Sequence, residues 1–335
     1  MRACIAISSE EIRVSDVDIP VPGPTDIRVK LLSASLNPVD YKVQKWSSED
    51  KFPYIIGCDG FGTIDALGSN VKDFKIGDRV YFHNNLHRSE CGTCAEYTIV
   101  DSLVAVPVPN EFSSDVGALP CAGFTALQVV EKAIAAVGSH SDKVVLPDIP
   151  SAFIAGLSSS VGHYAAQILQ SKGWKVTGSC RTHRIDQCRK LGVEVIDSTS
   201  DFLEATKTNT PNGFQIAIDC VGSDSAANLL PLLSFKGAIV PVVGLDFTSK
   251  HIDSLFLKGI SICHVALGFV AYQSPFNIHQ IELADLGKKL LHYVQDGTID
   301  YNVGHRIKLD EVPLYLRKLE QRESIHGKIL VVFDQ

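Results

Sequence analysis

No stretch of this 335-residue sequence stays apolar long enough to cross a bilayer. The longest runs, such as Gly237–Leu245, stop well short of the ~20 residues that a spanning helix needs. Nor does the N-terminus carry the long apolar segment of a signal peptide, because Met1-Arg-Ala-Cys-Ile-Ala-Ile-Ser8 turns polar at once. A basic excess is missing too. With 31 Lys and Arg against 38 Asp and Glu the net charge is −7, which offers nucleic acid no attracting field. There are no internal repeats and no low-complexity tracts. These absences lead us to expect a cytoplasmic globular protein with neither a membrane nor a nucleic-acid partner. A composition 45% hydrophobic and 21% charged suits a folded enzyme rather than a disordered chain. At about 100–200 residues per domain, the length allows two domains.

What is plentiful is cysteine. Nine stand at positions 4, 58, 91, 94, 121, 180, 188, 220 and 263. An odd count in a long chain with no secretory signal argues against a disulfide framework. Cys4, Cys220 and Cys263 lie within apolar runs, where cysteine behaves as a small hydrophobe. Metal binding is the reading that needs a fold to test it.

The first third reads as short extended segments (Arg2–Ile7, Asp26–Leu32, Gly62–Leu67, Arg79–Phe82, Glu96–Val100) separated by Pro/Gly clusters at Pro20–Pro24 and Gly57–Gly62. That pattern predicts a β-rich, barrel-like domain. From about residue 123 the period changes. A helical pattern over Thr125–Val137 precedes alternating apolar strands and amphipathic helices. The expected strands are Ala152–Ala155, Lys175–Ser179, Val193–Ile196, Gln215–Asp219, Ala238–Val243 and Ile260–His264; the helices are Val161–Lys172, Ile185–Leu191 and Ser225–Phe235. Strands apolar throughout and alternating with helices mark a parallel, doubly wound sheet covered on both faces. Beyond residue 280 we expect helices over Ile281–Asp296 and Val312–Glu323 and strands near Val303–Lys308 and Lys328–Phe333. The last strand finds no place in the parallel sheet and should return to the first domain. The expected division is 1–124, 125–268 and 269–335, one domain inserted into another, with the stretch Ser139–Pro150 longer than a compact turn.

Gly156-Leu-Ser-Ser-Ser-Val-Gly162 falls between an expected strand and helix, where helix N-terminal N–H groups can hold a dinucleotide pyrophosphate. Ser158, Ser159, Ser160 and Val161 are its contact candidates, and Gly162 suits close helix–strand packing. The next strand ends without the Asp or Glu that grips an NAD ribose. Ser179, Arg181 and Arg184 stand there instead, offering hydrogen bonds and positive charge to a 2′-phosphate. The expected cofactor is therefore NADP(H). Val221-Gly222 and Val243-Gly244-Leu245 should flank its ribose and nicotinamide, and Asp219 reads as a structural strand end.

The chain resembles the medium-chain dehydrogenase/reductase superfamily, in its zinc-independent quinone oxidoreductase-like branch. The resemblance rests on Asn37-Pro-Val-Asp-Tyr-Lys42, Gly57-Cys-Asp-Gly-Phe-Gly62, Val71–Val80, Gly92–Tyr97, Leu119–Ala126, the serine-rich turn, Asp219-Cys-Val-Gly222, Gly237–Gly244 and Gly327-Lys-Ile-Leu330. It implies a GroES-like catalytic domain carrying the inserted Rossmann domain, and a homodimer meeting near Ile260–Val270. Zinc alcohol dehydrogenases of the superfamily use a Cys, a His-Glu pair and a second Cys; the matching positions here are Asn37, Cys58-Asp59 and Cys121. Asparagine breaks that set, so no metal is expected. The only other ligand-like spacing is His83, His87, Cys91 and Cys94.

The resemblance further implies Asn37, Tyr41 and Lys42 as catalytic groups and Thr125 beside the nicotinamide, with Tyr54, His83 and His87 near the substrate mouth. Without a metal, hydride transfer needs an acceptor whose new charge can delocalise onto oxygen. A quinone or an α,β-unsaturated carbonyl qualifies. The rival readings are a zinc alcohol dehydrogenase using Cys58 and Cys121, and a cofactor-binding protein without catalysis.

Overall fold

The computed structural model describes residues 1–85, 88–138, 149–199, 206, 210, 212–244, 246–267 and 278–334. The chain divides into two compact units. One comprises Met1–Phe124, Ala266–Gln295 and Tyr301–Gln335; the other comprises Thr125–Val265 and Asp296–Asp300.

The first unit begins with β1 (Arg2–Ala6), β2 (Ile12–Asp16), β3 (Asp26–Leu36) and helix α1 (Pro38–Trp46). It continues through β4 (Tyr54–Ile55), β5 (Asp59–Leu67), β6 (Arg79–His83), β7 (Tyr97–Asp101) and β8 (Val106–Pro107). β3 anchors the larger sheet. Ile27, Val29 and Leu31 alternate inward and are buried while Arg28 and Lys30 point out, the period-2 pattern of a one-sided strand. β5 and β7 both pair with β3 antiparallel, and β6 pairs with β5.

One local expectation gives way here. Gly57–Gly62 is not a loop. Only its start turns, at Gly57 with φ +101°; from Asp59 it runs as β5. The glycines serve close strand approach, since a Cβ on Gly62 would collide with the Lys30 carbonyl. Asn37-Pro38 opens a helix rather than a bare turn, with Pro at the first helical position and the Asn37 N–H donating to Asp40 Oδ2 at 2.7 Å.

Helix α2 spans Pro120–Gly138, starting five residues before the expected Thr125 because Pro120 is itself a helix-initiating residue. It is apolar enough to match a membrane span by length and composition, yet over half of it is buried in the protein, as in a core helix. Residues 139–148 of the long approach lie outside the described residues.

In the second unit β9 (Ser151–Ala155), α3 (Ser160–Ser171), β10 (Lys175–Cys180), α4 (Ile185–Arg189), β11 (Glu194–Asp197), β12 (Phe214–Asp219), α5 (Ser225–Leu229), β13 (Leu233–Pro241), α6 (Ser249–Lys258) and β14 (Ser261–Ile262) follow in turn. All pairings are parallel, in the order β11-β10-β9-β12-β13-β14. The first strand therefore lies in the middle and the order reverses beside it, which defines the doubly wound fold. Every residue of β9 is buried, as a strand covered on both faces must be. The helix expected over Ser225–Phe235 ends early: Pro231 lies in a 3₁₀ turn (Leu230–Leu232), and β13 begins at Leu233.

The chain then returns to the first unit through α7 (Ile278–Gln295), β15 (Val303–Ile307), α8 (Val312–Glu320) and β16 (Lys328–Val332). β16 pairs antiparallel with the end of β3, Ile329 opposite Leu36 and Val332 opposite Ser33. The sequence motif Gly327-Lys-Ile-Leu330 is thereby brought beside Asn37.

Candidate functional site

In the second unit the phosphate-binding turn is built by local sequence. Gly156 takes φ +78° just past β9, a left-handed conformation open to glycine. Ser159 caps α3, its hydroxyl accepting the Gly162 N–H at 3.0 Å. A Cβ on Gly162 would stand 2.6 Å from the Gly156 carbonyl, so this glycine lets helix and strand pack closely. Ser158, Ser160 and Val161 are partly exposed at the helix start, where first-turn N–H groups lack intrahelical partners and favour an anion.

The neighbouring strand ends complete the crest. Ser179 is buried opposite Ala155, whereas Arg181 is exposed and Arg184 half-buried beyond it. Across β9, Asp219 is also opposite Ala155. Its carboxylate accepts the N–H groups of Val221 (3.1 Å) and Gly222 (3.0 Å), which fixes that turn and gives Asp219 a structural role. Val221 and Val243 are large exposed apolar side chains and Gly244 is open to space. Thr125 is buried in α2. Leu245 lies outside the described residues. Serines, two arginines and free helix amides at the carboxyl ends of parallel strands fit a dinucleotide phosphate.

The first unit holds a different construction, a buried polar cluster assembled by sheet register. Ser35 of β3 is opposite Asp59 of β5, and Asp59 is opposite His83 of β6. Residues directly opposite in antiparallel strands share a face, so the three side chains converge. Asp59 Oδ2 accepts Ser35 Oγ–H and Asn37 Nδ2–H, each at 2.8 Å, while Oδ1 accepts the Cys121 N–H from the first turn of α2 at 2.8 Å. Lys328 Nζ donates to Asn37 Oδ1 at 2.6 Å and lies 3.5 Å from Asp59. Asp59 is 0% and Lys328 3% exposed, so each charge depends on the other.

Two thiols and an imidazole stand against this network. The donor atoms of Cys58, Asp59, His83 and Cys121 all lie within 4.8 Å of one another. A hydrogen bond from Cys58, helped by one from His83, lowers the Cys121 thiol to about 6 despite burial. The same contact with Cys121, then burial, pushes Cys58 well up. Burial opposes charge on His83, yet its bond to Cys121 and the nearby carboxylates raise it overall. Asp40, fully enclosed, is pushed up to about 8 by burial.

The ligand set implied by the resemblance fails at Asn37, whose amide is engaged by Asp59 and Lys328. The donors that do converge are Cys, Asp, His and Cys, a combination suited to zinc. It is the one such group among the described residues. The alternative spacing does not assemble. Cys94 packs with Cys4, Leu36 and Ile56 in a hydrophobic cluster, and His83 turns to Cys121 instead; His87 lies outside the described residues. All nine cysteines are free thiols.

Asn37 thus belongs to the buried cluster, but Tyr41 and Lys42 do not join it. Tyr41 lines a small cavity with Gln44, Leu316 and Arg317, and burial raises its phenol. Burial, reinforced by Arg322, lowers the Lys42 ammonium. Tyr54 stacks on Phe52 at 5.6 Å. Sequence reasoning did not single out Lys328, Ser35 or Asp40 as parts of one site. Asp40 and Lys328 carried no signal beyond membership in the quoted motifs, and Ser35 lies in none of them.

The alcohol dehydrogenase GroES-like domain family matches residues 23–130, and the zinc-binding dehydrogenase family matches residues 160–280. A chloroplast envelope quinone oxidoreductase homolog of Arabidopsis thaliana is 30% identical over 234 residues, covering 68% of this chain and 69% of its own. A trans-enoyl reductase of Pyricularia oryzae is 30% identical over 191 residues, 55% of this chain and 52% of its own. Among solved structures, a mycobacterial protein complexed with NADPH aligns at TM-score 0.82 and 19% identity over 99% of this chain and 100% of its own, a likeness of fold.

Proposed function

Because the chain belongs to the medium-chain dehydrogenase/reductase superfamily, in its quinone oxidoreductase-like branch, we propose that it is an NADPH-dependent reductase passing a hydride to a quinone or an α,β-unsaturated carbonyl without a catalytic metal. The observation that carries the reading is the crest of β9, β10 and β12. A serine-capped helix start offers its first-turn N–H groups to a pyrophosphate, and Ser179, Arg181 and Arg184 stand at the end of the next strand, where an acidic ribose clamp is lacking. The names of the relatives, quinone oxidoreductase and trans-enoyl reductase, supply the acceptor class.

The cofactor supplies the hydride; the protein holds, orients and completes protonation. Ser158–Val161 and the arginines bind the phosphates, and Thr125, Val221, Gly222, Val243, Gly244 and Leu245 orient the nicotinamide half. In this reading Tyr41 donates the final proton, its phenol protonated at neutral pH as tyrosine ordinarily is and pushed further up by burial, and Lys42 steadies the enolate charge. Asn37 acts by positioning Asp59 and Lys328. The protein works in the cytoplasm as a homodimer, with no nucleic-acid or membrane partner. The half-exposed edge strand β14 and the exposed side chains of Phe256 and Leu257 on the preceding helix α6 support that dimer.

One observation favours a second reading, zinc-dependent alcohol oxidation: Cys58 and Cys121 do meet. A screen of NADPH oxidation over quinones, enones, aldehydes and ketones separates the two. Turnover confined to conjugated acceptors supports the reductase. Turnover confined to unconjugated aldehydes and ketones rejects it, and cofactor binding without any turnover leaves a non-catalytic binding protein.

A further inference from the structure

We propose that Cys58, Asp59, His83 and Cys121 form a closed, four-ligand structural site for one zinc ion, using a donor set that this chain assembles for itself. The site shares Asn37, Asp59 and Lys328 with the proposed reductase but does not depend on the acceptor or cofactor assigned there.

Four observations carry it. The first is distance. Zinc bonds of about 2.3 Å to sulfur and 2.0–2.2 Å to nitrogen or oxygen put tetrahedral ligand atoms roughly 3.3–3.8 Å apart. The four atoms here already lie within 4.8 Å of one another, so capture needs only small side-chain adjustments. The second is origin: Cys58 precedes β5, Asp59 opens it, His83 ends β6 and Cys121 sits in the first turn of α2. Ligands from three separate elements give an ion something to crosslink.

The third is charge. Two thiolates and a carboxylate bring three negative charges, and zinc with Lys328 brings three positive ones. The filled site is neutral because Lys328, 3.5 Å from Asp59 and 3% exposed, is already buried beside it. The fourth is support. Ser35, Asn37 and the Cys121 N–H hold the Asp59 carboxylate in place, as outer partners of metal ligands commonly do.

Four protein ligands leave no open position for substrate, which separates this ion from a catalytic zinc. Asn37 is excluded as a ligand because its oxygen accepts a hydrogen bond from Lys328 and its nitrogen donates one to Asp59. His83 fills the vacancy from a neighbouring strand.

The test uses the full chain purified under reducing, anaerobic conditions and reconstituted with zinc alone, with metal measured by plasma mass spectrometry. One zinc per chain is expected. Cys58→Ser, His83→Gln and Cys121→Ser should each weaken zinc binding by about 10–100-fold or more, whereas Cys91→Ser and Cys94→Ser retain it. Cobalt in place of zinc should show sulfur-to-cobalt charge-transfer bands and the intense visible bands of tetrahedral coordination. A measurement on the wild-type chain covers the event that a variant fails to fold: zinc should shield the partly exposed Cys121, but not Cys220 or Cys263, from alkylation. The proposal is overturned if the folded wild-type chain takes up no zinc, if zinc persists in the Cys58 and Cys121 variants, if cobalt is octahedral, or if zinc leaves the alkylation of Cys121 unchanged.

Discussion

The two polar sites of this protein are assembled in opposite ways. In the second unit, the phosphate-binding crest comes mostly from one strand–turn–helix segment, Ser151–Ser171, and from the end of the next strand. In the first unit, Asn37, Cys58, Asp59, His83, Cys121 and Lys328 span 291 residues of sequence before the sheet register brings them together. A site of the first kind is set by backbone conformation over a few residues and should tolerate single side-chain losses. A site of the second kind is a buried network in which every member answers for another's charge or hydrogen bonds, and it should not.

The sharpest way to break this contrast is Asp59→Ala. It leaves Lys328 buried without its carboxylate, and removing one partner of a buried pair costs about 3–5 kcal/mol. Urea denaturation should show a loss of that order, and a loss near zero would mean that the cluster is not a coupled unit. Arg181→Glu is next. Losing one charge-assisted hydrogen bond of about 1.5–3 kcal/mol should raise the KM for NADPH roughly tenfold or more while that for NADH moves little. Equal effects on both cofactors would remove Arg181 from the 2′-phosphate site.

Asp40→Asn tests the neighbourhood of the cluster through pH. Burial raises the Asp40 carboxyl to about 8, so the folded protein holds its proton more tightly than the unfolded chain does. Its contribution to stability is fully present below the ordinary carboxylate range and is lost as pH rises towards about 8. Asparagine cannot ionise, so the variant should gain stability relative to wild type between pH 5 and pH 9, measured by urea melts at both. A constant difference would contradict the shift. The smallest effect belongs to the local site: Ser159→Ala removes a helix cap and should cost about 1 kcal/mol, with only a modest rise in the KM for NADPH. If it matched Asp59→Ala, the contrast between the two sites would fail.

The same contrast explains what could be read from the sequence. The second unit was legible almost strand by strand, because fully buried parallel strands are apolar throughout and glycine, serine and proline punctuate them. The expected helix over Ser225–Phe235 overran only where Pro231 stops it. In the first unit the strands were legible, yet α1 was not: Asn37-Pro38 reads equally well as a turn or as a capped helix start. His83 carried a misleading signal. Its spacing to Cys91 and Cys94 suggested one grouping, whereas pairing of β5 with β6 sends it to Cys58 and Cys121. Spacing along a chain reports contacts within a turn; it says nothing of which strand lies opposite. Lys328 was visible as a motif residue and invisible as a partner of Asn37 for the same reason.

Direct hydride transfer from NADPH to a conjugated carbonyl is the central step of the proposed reaction, and isotopic labelling tests it most plainly. NADPH carrying deuterium on the transferred position of its nicotinamide is mixed with the protein and an enone, and the product is analysed by NMR. The reductase reading requires deuterium at the carbon β to the carbonyl, with far less product formed from labelled NADH. Unlabelled product, or labelled product formed equally well from NADH, would contradict it.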